Sequence, residues 1–140
     1  MPAGLGAAIA RVQRSHPRVI AAPSQVRSRE HSRMHLGIIL ETNDAERIWN
    51  AFRLANTALD ADHTVEVFLL GDGVEAPDVQ TEKFNPHGVM VKYDREGGEL
   101  FACGTCMDSR DIESGDLRPH STMGECLRIV EAADEVLTIG

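Results

Sequence analysis

Glu99-Leu100-Phe101-Ala102-Cys103-Gly104-Thr105-Cys106-Met107-Asp108-Ser109-Arg110 is the stretch that decides how the rest of the chain folds. It opens as a short apolar run, Leu100 to Ala102, just after the turn pair Gly97-Gly98, and so predicts a buried strand. Gly104 breaks the run. Thr105, followed three residues later by Asp108, has the form of a helix N-terminus with Thr105 as its cap. That places Cys103 at the carboxyl end of a strand and Cys106 in the first turn of a helix. Open α/β sheets carry their chemistry at the carboxyl ends of the strands. The partial positive charge and unpaired N–H groups of a helix start also favour a thiolate. Two thiols in that setting point to chemistry more than to space filling.

Upstream, Leu36-Gly37-Ile38-Ile39-Leu40 is an unbroken apolar run, as a strand buried on both faces requires. Asn43 stands three residues before Glu46 as a helix cap, and Ile48, Phe52, Ala55 and Leu59 recur at helical spacing. Trp49 lies at the edge of that stripe and is expected to pack into the core. Val65 to Leu70 makes a second strand, followed by Gly71-Asp72-Gly73, which lacks a third glycine and reads as an ordinary turn. Asn85-Pro86 has the form of N-cap and first helical residue, with Val89, Met90 and Tyr93 on one face. Val89-Met90-Val91 also fits a strand.

Downstream, Ser114-Gly115-Asp116 and Arg118-Pro119 mark a loop. Thr122 to Glu125 has the capping-box form, and Leu127, Val130 and Ala132 or Ala133 give the helix that follows an apolar side. Cys126 is placed on that same side, as a buried structural cysteine. Val136 to Ile139 is a last strand. Strand and helix alternate throughout, so parallel pairing is the simplest solution. The expected fold is one α/β domain over residues 34–140, a flavodoxin-like or Rossmann-like three-layer sandwich with a mainly parallel sheet of at least four strands.

At 140 residues the chain has room for one real core, and no stretch approaches the apolar length of a membrane span. Residues 1–33 hold six arginines against one acid, Glu30, whereas the remainder carries 8 basic and 21 acidic groups. A body that acidic repels phosphate backbones, which argues against a nucleic-acid partner. The first 33 residues have no aromatic and no sustained apolar period, and read as a disordered basic leader or a mis-started extension. An Arg- and Ser-rich, acid-poor leader also has the composition of a transit peptide. Three cysteines, two of them three residues apart, do not form a secreted disulfide framework and fit a reducing cytoplasm.

Cys103-Gly104-Thr105-Cys106 is the strongest local signal for chemistry. A Cys-x-x-Cys pair serves as a redox pair, half a metal site or a sulfur-handling device. A structural metal needs about four ligands. A second Cys-x-x-Cys is missing, and Cys126 with His120 would have to complete the set from another element. Neither a resident metal nor a cofactor is expected. Arg110 is placed to steady an anionic sulfur, and Asp108 to supply charge at the helix start. His87 and His120 each adjoin a proline in an expected loop, where a solvated histidine is usual and a proton donor the less common case.

Leu36 to Leu40, Trp49-Asn50-Ala51-Phe52-Arg53, Val67-Phe68-Leu69-Leu70-Gly71, Gly98 to Cys106, Ser121-Thr122-Met123 and Val136-Leu137-Thr138 together resemble the DsrE-like (DsrE/DsrF-like) family. The resemblance runs from about Met34 to Gly140. It implies a flavodoxin-like sandwich assembled as a homotrimer or hexamer, which passes persulfide sulfur between sulfur donor and acceptor proteins. It also implies that the sulfur-carrying cysteine lies in the loop after a central strand, a position that Cys103 matches. Relay members generally carry one cysteine there, and this chain adds Cys106. A persulfide on Cys103 is electrophilic, so a Cys106 thiolate within reach would expel sulfide and leave a disulfide. Either the pair releases sulfur reductively, or Cys106 is held away and Cys103 carries sulfur alone.

The resulting expectation is a cytoplasmic sulfur-relay protein, with Cys103 as primary sulfur acceptor and Cys106 secondary; if it is an enzyme, it is a sulfurtransferase. Cys103 is expected to be accessible, with Gly104 leaving room for a donor to approach the backbone. A thiol–disulfide redox protein and a non-enzymatic binding or assembly module, with or without bound zinc, are the alternatives. Neither nucleic acid nor membrane is expected as a partner.

Overall fold

The apolar runs become strands at the expected places, in a computed structural model that describes residues 32–140. The elements are β1 (His35–Leu40), α1 (Ala45–Asp60), β2 (Thr64–Leu69), a 3-10 helix (Gly71–Asp78) and α2 (Pro86–Arg95). Then come β3 (Glu99–Cys103), α3 (Gly104–Asp108), β4 (His120–Ser121), α4 (Met123–Ala132) and β5 (Glu135–Ile139). The strands form one sheet in the order β4-β3-β2-β1-β5, and every neighbouring pair is parallel. The α/β sandwich read from the alternation of elements is therefore observed, with five strands.

Register brings the carboxyl ends level. Leu40 pairs with Leu69, Leu69 with Ala102, and Ala102 with His120. The loops that leave β1, β2, β3 and β4 therefore open on one edge of the sheet. One face carries Leu36, Ile38 and Leu40 and packs under α1 and α2, where Ile48, Phe52, Met90 and Tyr93 are fully buried. Phe52 meets Tyr93 edge-on, with ring centroids 5.3 Å apart. The Tyr93 hydroxyl lies 3.0 Å from the Val65 carbonyl and 2.7 Å from that of Glu99, so a buried phenol ties α2 to two strands.

The other face lies under α4. Gly37 permits the approach, because a Cβ there would stand 2.9 Å from Ile129 Cγ2. Glu66, in register with Gly37, is buried in the sheet. Its carboxylate is held by His35 Nε2 at 2.6 Å and by Arg128 from α4. Arg128 also reaches Glu125 and lies over the Phe101 ring. A charge within an apolar strand is tolerated only when paired in this way.

Several local expectations change. Asp44, not Asn43, caps α1: its side chain accepts the Arg47 N–H, while Asn43 turns to Glu75. Both residue types cap well, and the ionised one also suits the positive end of the helix. Trp49 is half-buried at the margin, against Phe84 and under the Arg53 guanidinium. Asn85 and Pro86 start α2 as expected, and Val89 to Val91 are helical. On α4 Cys126 is buried as expected, but its companion on the sheet is Ile129, whereas Met123, Leu127 and Val130 are exposed. The expected leader falls, apart from Ser32 and Arg33, outside the described residues. Among the described residues, no helix is long and apolar enough to cross a membrane.

Candidate thiol site

The last hydrogen-bonded position of β3 is Cys103, whose partner across the sheet is Ser121. The chain turns directly into α3, so Cys103 is itself the N-cap, and Thr105 lies inside the helix. The Thr105 cap is thus corrected by two residues: the helix starts at Gly104, before the Thr-x-x-Asp pattern could act. With only five residues in α3, Asp108 is its last residue, not a first-turn charge. The dipole of so short a helix offers little to a thiolate.

Cys103 is 4% exposed and Cys106 half-buried. The expected accessibility is therefore inverted, because alternation along β3 turns Cys103 into the face covered by α4. Cys106 Sγ accepts a hydrogen bond from the Gly71 N–H at 3.3 Å. Burial pushes the Cys106 thiol up, the neighbouring Cys103 thiol adds to this, and the Gly71 N–H and Arg110 oppose it. Cys126 is buried on α4 and its thiol is also raised, by burial first and then by charge on Cys103 and Glu41. All three cysteines are free thiols, gathered at one end of the sheet.

Arg110 does not reach a sulfur with its guanidinium nitrogens. It donates to Asp72 at 2.8 Å, Glu75 at 3.1 Å and the Cys106 carbonyl at 3.1 Å. Arg118 likewise grips the 3-10 helix, through Asp78 at 2.8 Å and the Val74 carbonyl at 3.1 Å. His120 belongs to β4, not to a loop, and its ring lies on Gly104: a Cβ there would stand 2.1 Å from His120 Cε1. The space that glycine was expected to leave for a donor is filled by this imidazole. Asp108 Oδ1 is 3.9 Å from His120 Nε2. His87, expected in a loop, sits in the first turn of α2, against the Pro77 carbonyl. Among the described residues, no group of three or more His, Cys, Asp and Glu side chains is arranged to hold a metal ion.

Gly71, expected only as part of an ordinary turn, supplies the N–H that meets Cys106. A backbone N–H leaves no trace in a sequence, and the only signal was a glycine just past a strand end.

The family model of the DsrE/DsrF-like family matches residues 34–139. The chain belongs to the DsrE/DsrF-like family. The chain is similar to the uncharacterized protein MK0008 of Methanopyrus kandleri, 31% identical over 101 residues, which cover 66% of this chain and 81% of that protein. The crystal structure of the YchN protein from E. coli superposes with a TM-score of 0.66 at 22% identity, covering 76% of this chain and 99% of that one. At that identity the likeness concerns the fold, and the DsrE-like sandwich is shared between the two.

Proposed function

We propose that this protein is a cytoplasmic sulfur-relay protein, a persulfide-carrying sulfurtransferase with Cys103 as the carrier and Cys106 as the second thiol. Membership of the DsrE/DsrF-like family supports a sulfur-relay role in general. The observation that carries the finer reading is the placing of two thiols three residues apart at the carboxyl end of β3, with an N–H directed at the outer one. In the loading step the Cys103 thiolate attacks the outer sulfur of a donor persulfide, and the donor leaves as its thiolate. Burial of Cys103 shields the resulting persulfide from water. An acceptor thiolate then takes the outer sulfur and returns Cys103 to the thiolate. Where no acceptor engages, Cys106 attacks the inner sulfur of the Cys103 persulfide, expels hydrosulfide and closes a Cys103–Cys106 disulfide. Both thiols are then oxidised and the carried sulfur is reduced.

The partners in this reading are a sulfur donor protein and an acceptor protein, and the chain acts as a homotrimer or hexamer. An exposed apolar stripe of Met123, Leu127 and Val130 on α4 is consistent with assembly. Thiol–disulfide exchange is the second reading, favoured by the Cys-x-x-Cys spacing of two free thiols. Intact-protein mass spectrometry separates the two. After exposure to a persulfide donor, a relay protein gains about 32 daltons, one sulfur atom, and loses it to an added acceptor thiol. A redox protein changes only by the two hydrogens of a disulfide.

A further inference from the structure

The 3-10 helix Gly71–Asp78 holds an N–H over the outer thiol, and the way it is fastened is specific. Gly71 adopts a positive φ of 56°, and its N–H meets Cys106 Sγ. Behind it, Gly73 is pressed against β1, where a Cβ would stand 2.0 Å from the Leu40 carbonyl oxygen. In front, one guanidinium joins Asp72 and Glu75 of the 3-10 helix to the carbonyl of Cys106 itself, and also reaches Ser109 Oγ. We infer that Arg110 is a positioning residue for Cys106, which holds the Gly71 N–H on the sulfur by tying the 3-10 helix to the thiol loop.

The geometry of the side chain supports this role. A planar guanidinium offers donors in fixed, divergent directions and can hold two carboxylates and a carbonyl together, whereas an ammonium is a point charge without that fork. The far end of the 3-10 helix has its own fastening, Arg118 to Asp78 and the Val74 carbonyl. The Gly71 end is held to β1, through the Leu70 N–H on the Leu40 carbonyl, so loss of Arg110 leaves the fold in place and frees the Cys106 loop from the Gly71 N–H. Asp72 and Glu75 act through the same fastening, because they are the carboxylates that Arg110 grips. The consequence falls on Cys106: an N–H donated to sulfur stabilises the thiolate, and the thiolate is the form that attacks.

The inference rests on the sulfur-transfer reading only for the use made of Cys106, and its test contains no sulfur donor. The reaction of Cys106 with iodoacetamide is followed from about pH 6 to about pH 10 in a C103S background, which leaves one thiol in the loop. The variants added to that background are R110Q, R110K and the pair D72N/E75Q, each checked for an unchanged thermal melt. Positioning predicts that all three raise the apparent pKa of Cys106, by about one unit for R110Q, or about tenfold slower alkylation at neutral pH. R110K, which keeps the charge but not the fork, falls close to R110Q and supplies the comparison should R110Q melt early. A direct charge effect of Arg110 on the sulfur predicts the reverse for D72N/E75Q, since removing two acids would lower the pKa. That result, or an unmoved profile in R110K and R110Q, overturns the inference.

Discussion

Replacing Ile129 with alanine tests whether α4 is held to the sheet by Ile129 and Cys126, and not by Leu127 and Val130. Ile129 is completely buried, and with Cys126 it makes up the buried surface of α4. The substitution removes three carbons, each worth about 0.8 kcal/mol of lost burial. The gap left against Gly37 and its neighbours adds to this, for a total of about 3 kcal/mol. For a domain of this size that lowers Tm by roughly 10 °C or more. The matched control is Leu54→Ala on α1: leucine is as apolar as isoleucine, but Leu54 is 44% exposed. Its loss should change stability by no more than about 0.5 kcal/mol. Urea unfolding of the two variants, read by circular dichroism, gives both numbers. A looser α4 should also make Cys126 react faster with a thiol reagent in Ile129→Ala than in wild type. A cost below about 1 kcal/mol for Ile129→Ala, or equal costs at the two positions, would refute the packing described for α4.

Two further expectations concern pH and assembly. Burial holds the Tyr93 phenol well above its ordinary value near 10, so the folded protein keeps that proton where the unfolded chain releases it. Its contribution to stability is whole below that ordinary value and is lost as pH climbs towards the folded one. Alkaline unfolding should therefore be steeper for wild type than for Tyr93→Phe, and parallel profiles would contradict this. Light scattering should return a multiple of the 15.3 kDa chain mass at micromolar concentration, and Leu127→Asp should lower it. A wild-type mass near that of one chain would end the assembly proposal.

The parts of the fold that were legible are those written in repeated apolar spacing. Leu36 to Leu40 and Val65 to Leu69 could hardly be anything but buried strands, and Asn85 and Thr122 cap helices as their side chains dictate. The parts that failed lack such a signal. On α4 apolar residues flank Cys126 on both sides, so periodicity cannot tell whether Ile129 or Leu127 and Val130 meet the sheet beside it; only Gly37, far off in sequence, decides it. β4 has two residues and α3 five, too few to show a period. The positions of Cys103 and Cys106 on strand end and helix were readable. Their exposures were not, because these depend on α4 and on His120 lying over Gly104. Glu66 did leave a mark, as a lone acid between Val65 and Val67, but its partners His35 and Arg128 lie 31 and 62 residues away.

The central claim is that Cys103 carries sulfur and Cys106 releases it. Mass spectrometry of the Cys103→Ser and Cys106→Ser variants after exposure to a persulfide donor tests this most directly. Cys103→Ser should abolish the gain of about 32 daltons, because the attacking thiolate is gone. In Cys106→Ser the adduct should persist longer than in wild type, because no neighbouring thiol displaces sulfide from it. An adduct that survives in Cys103→Ser and vanishes in Cys106→Ser would assign the carrier role to the half-buried thiol instead. No adduct in wild type or in either variant would contradict the sulfur-relay account altogether.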